Sequence, residues 1–380
     1  MRLVLTLSLT ALLAGCSLFG KEDGTEPMEL VDFEPTAKVD RVWKRSSGVG
    51  QGDGHTRLEP AINDGLLYAV DYRGELTVID RQSGKVSWDR DLDELLAGGV
   101  GVGGGQLLLG TDEGEVLALG SDDGRELWRT QLSSEIMSTP VGDGKVVAAH
   151  TLDGRLTVLD AQTGEVLWFY DNPPPKLTLR GRSAPVITDS AIYAGFSNGR
   201  LMAFNPQNGL ILWEQRVAMP KGRSDLEKMV DIQASPILVD GILYVSGYQG
   251  RLMAVSRATG RPLWAVDSSS YQELWFDSSE LFVTEDNSAV VAYDANSGTE
   301  SWRNEQMLRR LLTGPVSVGD YVAVADDDGY IHVLNRSDGS FAARTNIDGS
   351  GVRAPLWSDG ELFYVLANDG KLAAYRISPK

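Results

Sequence analysis

The sequence predicts an all-β chain: an eight-bladed β-propeller of four-stranded antiparallel blades, with the ring closed by the N-terminal strand. Three observations predict it. A glycine and a tryptophan recur fourteen positions apart in Gly74/Trp88, Gly114/Trp128, Gly154/Trp168, Gly199/Trp213 and Gly250/Trp264. A sixth copy has Ser288 in place of glycine and ends at Trp302, and a seventh starts at Gly329 but has Ala343 in place of tryptophan. An eighth starts at Gly370 and runs out of chain, while an unmatched tryptophan, Trp43, stands near the other terminus. Sharing one repeat between the termini brings the count to eight, and a fixed period of roughly 40 residues marks a solenoid or a propeller.

Each repeat reads as strands and turns. An apolar run such as 242–246 comes first, then a polar turn ending in glycine, as in Leu152-Asp153-Gly154. A second apolar strand follows, then an Asp-x-x-x-Gly turn such as Asp160 to Gly164, then the strand that carries tryptophan. Glycine supplies positive φ in such turns, and Asp or Asn tolerates it. Ahead of each unit lies a segment that usually contains proline (Pro60, Pro140, Pro185, Pro236, Pro315, Pro355), which is tolerated near a strand start. Four short strands per repeat make a propeller blade. Runs such as Leu201-Met202-Ala203-Phe204 are continuously apolar, so they read as buried on both faces by neighbouring blades. A solenoid would need polar end caps, which the sequence does not show.

The N-terminus reads as a targeting segment. Residues 1–15 form a lipoprotein signal peptide, with Arg2 as its positive start and Leu3 to Leu13 as its apolar stretch. Leu13-Ala14-Gly15-Cys16 resembles the bacterial lipoprotein box, and Cys16 is the single cysteine of the chain. Cys16 is therefore the expected acylation site. Residues 16–38, rich in Glu, Asp, Pro and Gly, read as the lipid anchor and an acidic flexible tether. The propeller is expected over 39–377. The formal net charge of −18 argues against a nucleic-acid surface.

Apparent catalytic motifs fall on repeat turns. Gly195-Phe196-Ser197-Asn198-Gly199 matches a nucleophile elbow, but that motif needs a strand-to-helix turn, and here it joins two strands. Asp326-Asp327-Asp328-Gly329 is the same turn rather than a calcium loop, which needs a distant bidentate Glu. The glycines of 98–105 precede a strand, not a helix, and read as an innermost strand near a crowded axis. His55, His150 and His332 lack a second ligand at metal spacing, so no metal or other cofactor is expected.

Two irregularities point to a binding face. The tryptophan spacing of 40 widens to 45 at Trp213 and 51 at Trp264. The added residues lie in 172–182 and 219–231, each joining an outer strand to the next blade's inner strand, so both emerge on one face. Insertions confined to one face mark a binding surface. Leu177 and Leu179 flank a threonine ahead of Arg180, an apolar anchor beside a charged contact.

The Asp-x-x-x-Gly turn with its terminal tryptophan resembles the repeats of pyrroloquinoline-quinone dehydrogenases. The lipoprotein box, acidic tether, eight repeats and two long loops together resemble the BamB family, lipoprotein subunits of the outer-membrane β-barrel assembly (BAM) complex. The resemblance covers essentially the whole chain, and Leu177-Thr178-Leu179-Arg180-Gly181 is its sharpest motif. It implies that Leu177, Leu179 and Arg180 contact BamA, the barrel subunit with periplasmic POTRA domains. Asp231 matches the first of two aspartates in the family's second loop, and Gln233 stands where the second would be. It also implies a non-enzymatic scaffold at the inner leaflet of the outer membrane, facing the periplasm. There it would assist delivery and insertion of outer-membrane proteins, with unfolded barrel proteins as further partners.

Two alternatives belong to other classes. A quinone-dependent dehydrogenase resembles the chain in blade count and tryptophan placement, but those enzymes carry an adjacent cysteine pair and often a haem motif. Here Cys16 is the sole cysteine. A propeller scaffold for a different envelope complex is the other. Copurification from native membranes separates it from the BamB reading.

Overall fold

A computed structural model of the chain describes residues 25–52 and 56–380. Its strands form eight four-stranded antiparallel sheets. These are blade 1 (61–91), blade 2 (96–131), blade 3 (141–171), blade 4 (186–216), blade 5 (237–267), blade 6 (275–304), blade 7 (316–346) and blade 8 (357–379 with 37–46). Within blades 1 to 7 the strands follow in chain order from the axis outward. In blade 8 the outermost strand is Ala37–Ser46, paired antiparallel with Lys371–Pro379. The ring is thus closed by its N-terminal strand.

The core is divided among the blade junctions. Among the described residues, eight apolar clusters lie one at each junction. Between blades 3 and 4, Leu156, Val158 and Trp168 meet Ile192, Met202 and Phe204. The two middle strands of a blade are therefore buried on both faces, as their continuous apolar runs require. Leu201, Met202, Ala203 and Phe204 are all buried.

The tryptophan of an outer strand locks its blade to the next. Trp168 Nε1 donates to the Pro206 carbonyl at 2.8 Å, inside the blade 4 turn Asn205 to Gly209, where Asn stands in place of the Asp of the Asp-x-x-x-Gly pattern. Among the described residues, six tryptophans make this bond, at 2.7 to 2.9 Å. A β-bulge beside the tryptophan, such as that between Val158 and Leu159, re-aims its side chain. The turn glycine is needed twice over. Gly164 has φ 72°, and a Cβ there would fall 2.6 Å from the Trp128 ring. Trp43 makes the same contact for the split blade, donating to the Arg81 carbonyl at 2.8 Å.

Ala343 in blade 7 has a topological cause. Its tryptophan would dock on the turn joining the two outer strands of blade 8, but those strands, Ala37–Ser46 and Lys371–Pro379, are distant in sequence and no turn joins them. Lys380 N–H donates to the Thr36 carbonyl at 3.0 Å, and Thr36 N–H to the Ala342 carbonyl at 2.9 Å. Ala37 packs with Ala342 and Ala343 where the indole would lie.

The tether expectation for 16–38 needs correction over its second half. Cys16 and the signal segment lie outside the described residues, as does His55. Residues 26–36, however, lie against blade 7 and the connection that precedes it. Met28 N–H donates to the Leu308 carbonyl at 3.0 Å, and Arg310 Nη1 donates to the Met28 carbonyl at 3.0 Å. Arg344 Nη1 reaches the Val31 carbonyl at 3.0 Å. Phe33 stacks on Phe341 at 5.1 Å, with the Arg344 guanidinium 5.0 Å from its ring. Val31 and Phe33, half-buried against the junction of blades 6 and 7, thus hold this acidic stretch on the ring.

The remaining turn readings take concrete form. Gly101 and Gly103 lie on the innermost strand of blade 2, where a Cβ would run into the carbonyls of Pro140 and Gly142. The buried Asp326 carboxylate accepts the Asp328 and Tyr330 N–H groups, Arg310 at 2.7 Å and His332 at 3.0 Å. Burial alone would raise its pKa. His332 and Arg310 outweigh that and hold it below the usual carboxylate range. His150 packs edge-on to Phe196 at 4.8 Å, and burial brings its pKa down to about 4.

Candidate functional site

The two long loops are 172–185, between strands Val166–Asp171 and Val186–Ile187, and 217–236, between Ile211–Arg216 and Ile237–Val239. The first opens on three consecutive prolines, Pro173 to Pro175, which lower its ordering cost. The second contains a turn closed by a capping-box exchange. Glu227 N–H donates to Ser224 Oγ at 3.2 Å, while Ser224 N–H donates to Glu227 Oε2 at 2.9 Å. Those backbone bonds hold the Glu227 pKa below its ordinary value.

The structure joins the two loops through Asp231. Its Oδ2 accepts the Leu179 N–H at 3.0 Å and the Gln233 side-chain amide at 2.9 Å. Asp231 is fully buried, at 0% exposure. Burial pushes its pKa up, and the Gln233 and Leu179 bonds oppose that push. It is thus placed to brace the loops from inside rather than to face a partner. Gln233 occupies the second family position as the donor that this buried carboxylate requires.

The other three residues are set out in order of exposure. Leu177 is 43% exposed and Arg180 is exposed, while Leu179 between them is half-buried. Arg180 takes φ 71°, and its N–H donates to Thr178 Oγ1 at 3.1 Å. Leu177 and Arg180 are thus exposed on a loop fixed from below. Met219 and Leu226 of the second loop are also exposed, at 50% and 62%. The pair of loops therefore presents exposed apolar residues and a cation, the composition of a protein-binding hot spot.

Sequence reasoning missed a second group on the same face. Leu179 and Gln233 line a cavity of about 670 Å³ over the ring axis, together with Arg57, Arg182 and Arg353. Arg57, Arg182 and Gln233 stand three residues before Pro60, Pro185 and Pro236, and Arg353 two before Pro355. That recurrent place ahead of Pro60, Pro185, Pro236 and Pro355 was the available signal. A second cavity of about 340 Å³ lies further along these segments, where Ser235 N–H donates to Glu273 Oε2 at 2.9 Å.

Comparison with known proteins agrees with this architecture. A family model described as outer membrane protein assembly factor BamB matches residues 73–304 and 286–378. Outer membrane protein assembly factor BamB of Pseudomonas aeruginosa is 39% identical, over 98% of this chain and 97% of that protein. Its counterpart from Yersinia pestis is 32% identical, over 98% of both. The crystal structure of BamB from Moraxella catarrhalis superposes with a TM-score of 0.80 at 26% identity, over 89% of this chain and all of that one. A quinohemoprotein alcohol dehydrogenase from Comamonas testosteroni reaches a TM-score of 0.69 at 14% identity, which shows a shared fold alone. With the family model spanning most of the propeller and relatives matching nearly end to end, the chain belongs to the BamB family of outer membrane protein assembly factors.

Proposed function

We propose that the chain is a non-enzymatic scaffold of the BAM complex that binds BamA through the paired loops. The observation that carries this reading is the Asp231 brace. It holds Leu177 and Arg180 outward on a fixed backbone, which lowers the ordering cost of binding. Arg180 favours a carboxylate on the partner, since a guanidinium pairs with one bidentately. Acylation at Cys16 would hold the ring at the inner leaflet of the outer membrane, facing the periplasm. From there it assists delivery and insertion of outer-membrane proteins.

The test is the affinity of the purified chain for the BamA periplasmic region, measured beside copurification from native membranes. Retention of BamA by the parent, and its loss from the Leu177→Ala/Arg180→Ala double variant, support the reading. Recovery of a different envelope complex without BamA refutes it. Cys16→Ala is expected to leave the outer-membrane fraction when BamA is absent, because stable anchoring needs the acyl chains.

A further inference from the structure

The cavity over the ring axis carries a separate inference, independent of the partner reading. Among the described residues, its charged wall residues are three arginines, Arg57, Arg182 and Arg353, against one carboxylate, Asp327. This stands out in a chain with a formal net charge of −18. The arginines come from the innermost segments of blades 1, 4 and 8, so the ring itself brings them together. Two of their hydrogen bonds go to neutral acceptors. Arg57 donates to the Gln272 side-chain carbonyl, and Arg353 Nη2 donates to the Gly52 carbonyl at 2.9 Å. Tyr248 and Tyr271, in edge contact at 6.2 Å, and Leu311 add an aromatic and apolar wall.

We propose that this axial cavity binds a small organic anion carrying two or more carboxylate or phosphate groups. The cavity is of ligand size. Guanidinium groups match the planar geometry of both oxyanions, and the tyrosines and Leu311 accept the ligand's carbon body. The like charges also repel one another. Burial, and then Arg57, with Arg353 and Arg180 adding, bring the Arg182 pKa down to about 10, while Glu59 acts in the opposite sense. A bound anion relieves that repulsion. Glu59 and Glu273 lie one layer deeper, and burial raises both carboxyl pKa values, Glu273 to about 8. At neutral pH Glu273 is therefore mostly uncharged and does not repel an anion above it.

The experiment titrates the purified chain, without BamA, with citrate and separately with inorganic diphosphate, at matched ionic strength in a chloride buffer. Calorimetry and melting temperature are the readouts. Saturable binding at one site per chain is expected, with Kd of about 1 mM or tighter for at least one of the two anions. The preferred anion identifies the ligand as carboxylate or phosphate. Arg182→Gln should weaken binding about tenfold or more. Leu311→Asp is the second variant. Leu311 is 55% exposed at the cavity rim with φ 53°, a conformation that Asp adopts more readily, so the fold survives while an added charge repels the anion. Absence of saturable binding up to about 10 mM of either anion overturns the proposal. So does binding that the Leu311→Asp variant leaves unchanged.

Discussion

Asp231 Oδ2 and the backbone N–H of Leu179 lie 3.0 Å apart, so one buried carboxylate joins the two long loops of the ring. Asp231→Ala removes that acceptor and strands the Gln233 amide. The expected cost is about 1–3 kcal/mol of stability, the penalty for an unsatisfied buried polar group. The more specific readout is amide exchange. Leu179 N–H should lose protection while the blade strands keep theirs. Affinity for BamA should fall although Asp231 is itself inaccessible. Unchanged protection at Leu179 would show that the loop is held by other means.

Leu177 and Arg180 test the surface above that brace. Both are exposed, so their double alanine variant should weaken BamA binding by about 2–4 kcal/mol, the range of interface hot spots. Its melting temperature should match the parent. Leu179→Ala should lower both quantities, because that side chain is half-buried in the cavity wall. Equal effects of all three leucine and arginine changes on melting would place the whole motif in the core.

The ring was legible because the repeat carries both halves of the docking contact: Trp128 lies on Gly164, the glycine that closes the next repeat's Asp-x-x-x-Gly turn, and nothing but glycine fits beneath it. The split blade was legible for the same reason, through Trp43. The site was legible only in part. Leu177 and Arg180 appear on the surface as loop residues do, but nothing local to Asp231 shows that it is buried. That follows from the partner loop 52 residues away, whose N–H it accepts. The docked stretch 26–36 was hidden because Val31 and Phe33 form no period. Their burial depends on Phe341 and Arg344, far along the chain.

Glu273 predicts a pH dependence. Burial on the ring axis, with Glu59 adding, raises its carboxyl pKa from 4.5 to about 8, against the pull of Arg57 and Ser235. The folded chain therefore holds a proton that the unfolded chain has released. A carboxyl raised in this way favours folding below about pH 4.5, and the advantage is lost as pH rises toward 8. Glu273→Gln keeps an acceptor for Ser235 and removes the titration. Its melting temperature should exceed the parent's near pH 8 by an amount equivalent to roughly 1–2 kcal/mol, and the gap should close toward pH 5. A gap that widens toward acid pH would reverse the assignment.

Phe33 tests the docked N-terminal stretch. Phe33→Ala removes its stack on Phe341 and the Arg344 contact, together worth about 0.5–1.5 kcal/mol beyond area burial. Global melting should move little, since the blade strands stay paired. Limited proteolysis should instead cut within 26–36 faster than in the parent. If that stretch resists cleavage in the variant, its backbone bonds to Arg310 and Arg344 are sufficient by themselves.

Ala343 separates two accounts of the irregular seventh repeat. If the tryptophan were merely lost there, Ala343→Trp would restore a lock and stabilise the ring. The structure gives a different expectation. Blade 8 offers no Asp-x-x-x-Gly turn to accept an indole N–H, because its two outer strands, Ala37–Ser46 and Lys371–Pro379, are distant in sequence and held together by a hydrogen-bond ladder. Ala37 already fills the space beside Ala343. Ala343→Trp should therefore destabilise, by about 1–3 kcal/mol for an overpacked core site. Trp168→Ala and Trp43→Ala should each cost about 3–5 kcal/mol, since each empties a docked position. Paired melting curves decide the matter, and a higher melting temperature for Ala343→Trp would mean that the junction between blades 7 and 8 has room for the missing lock.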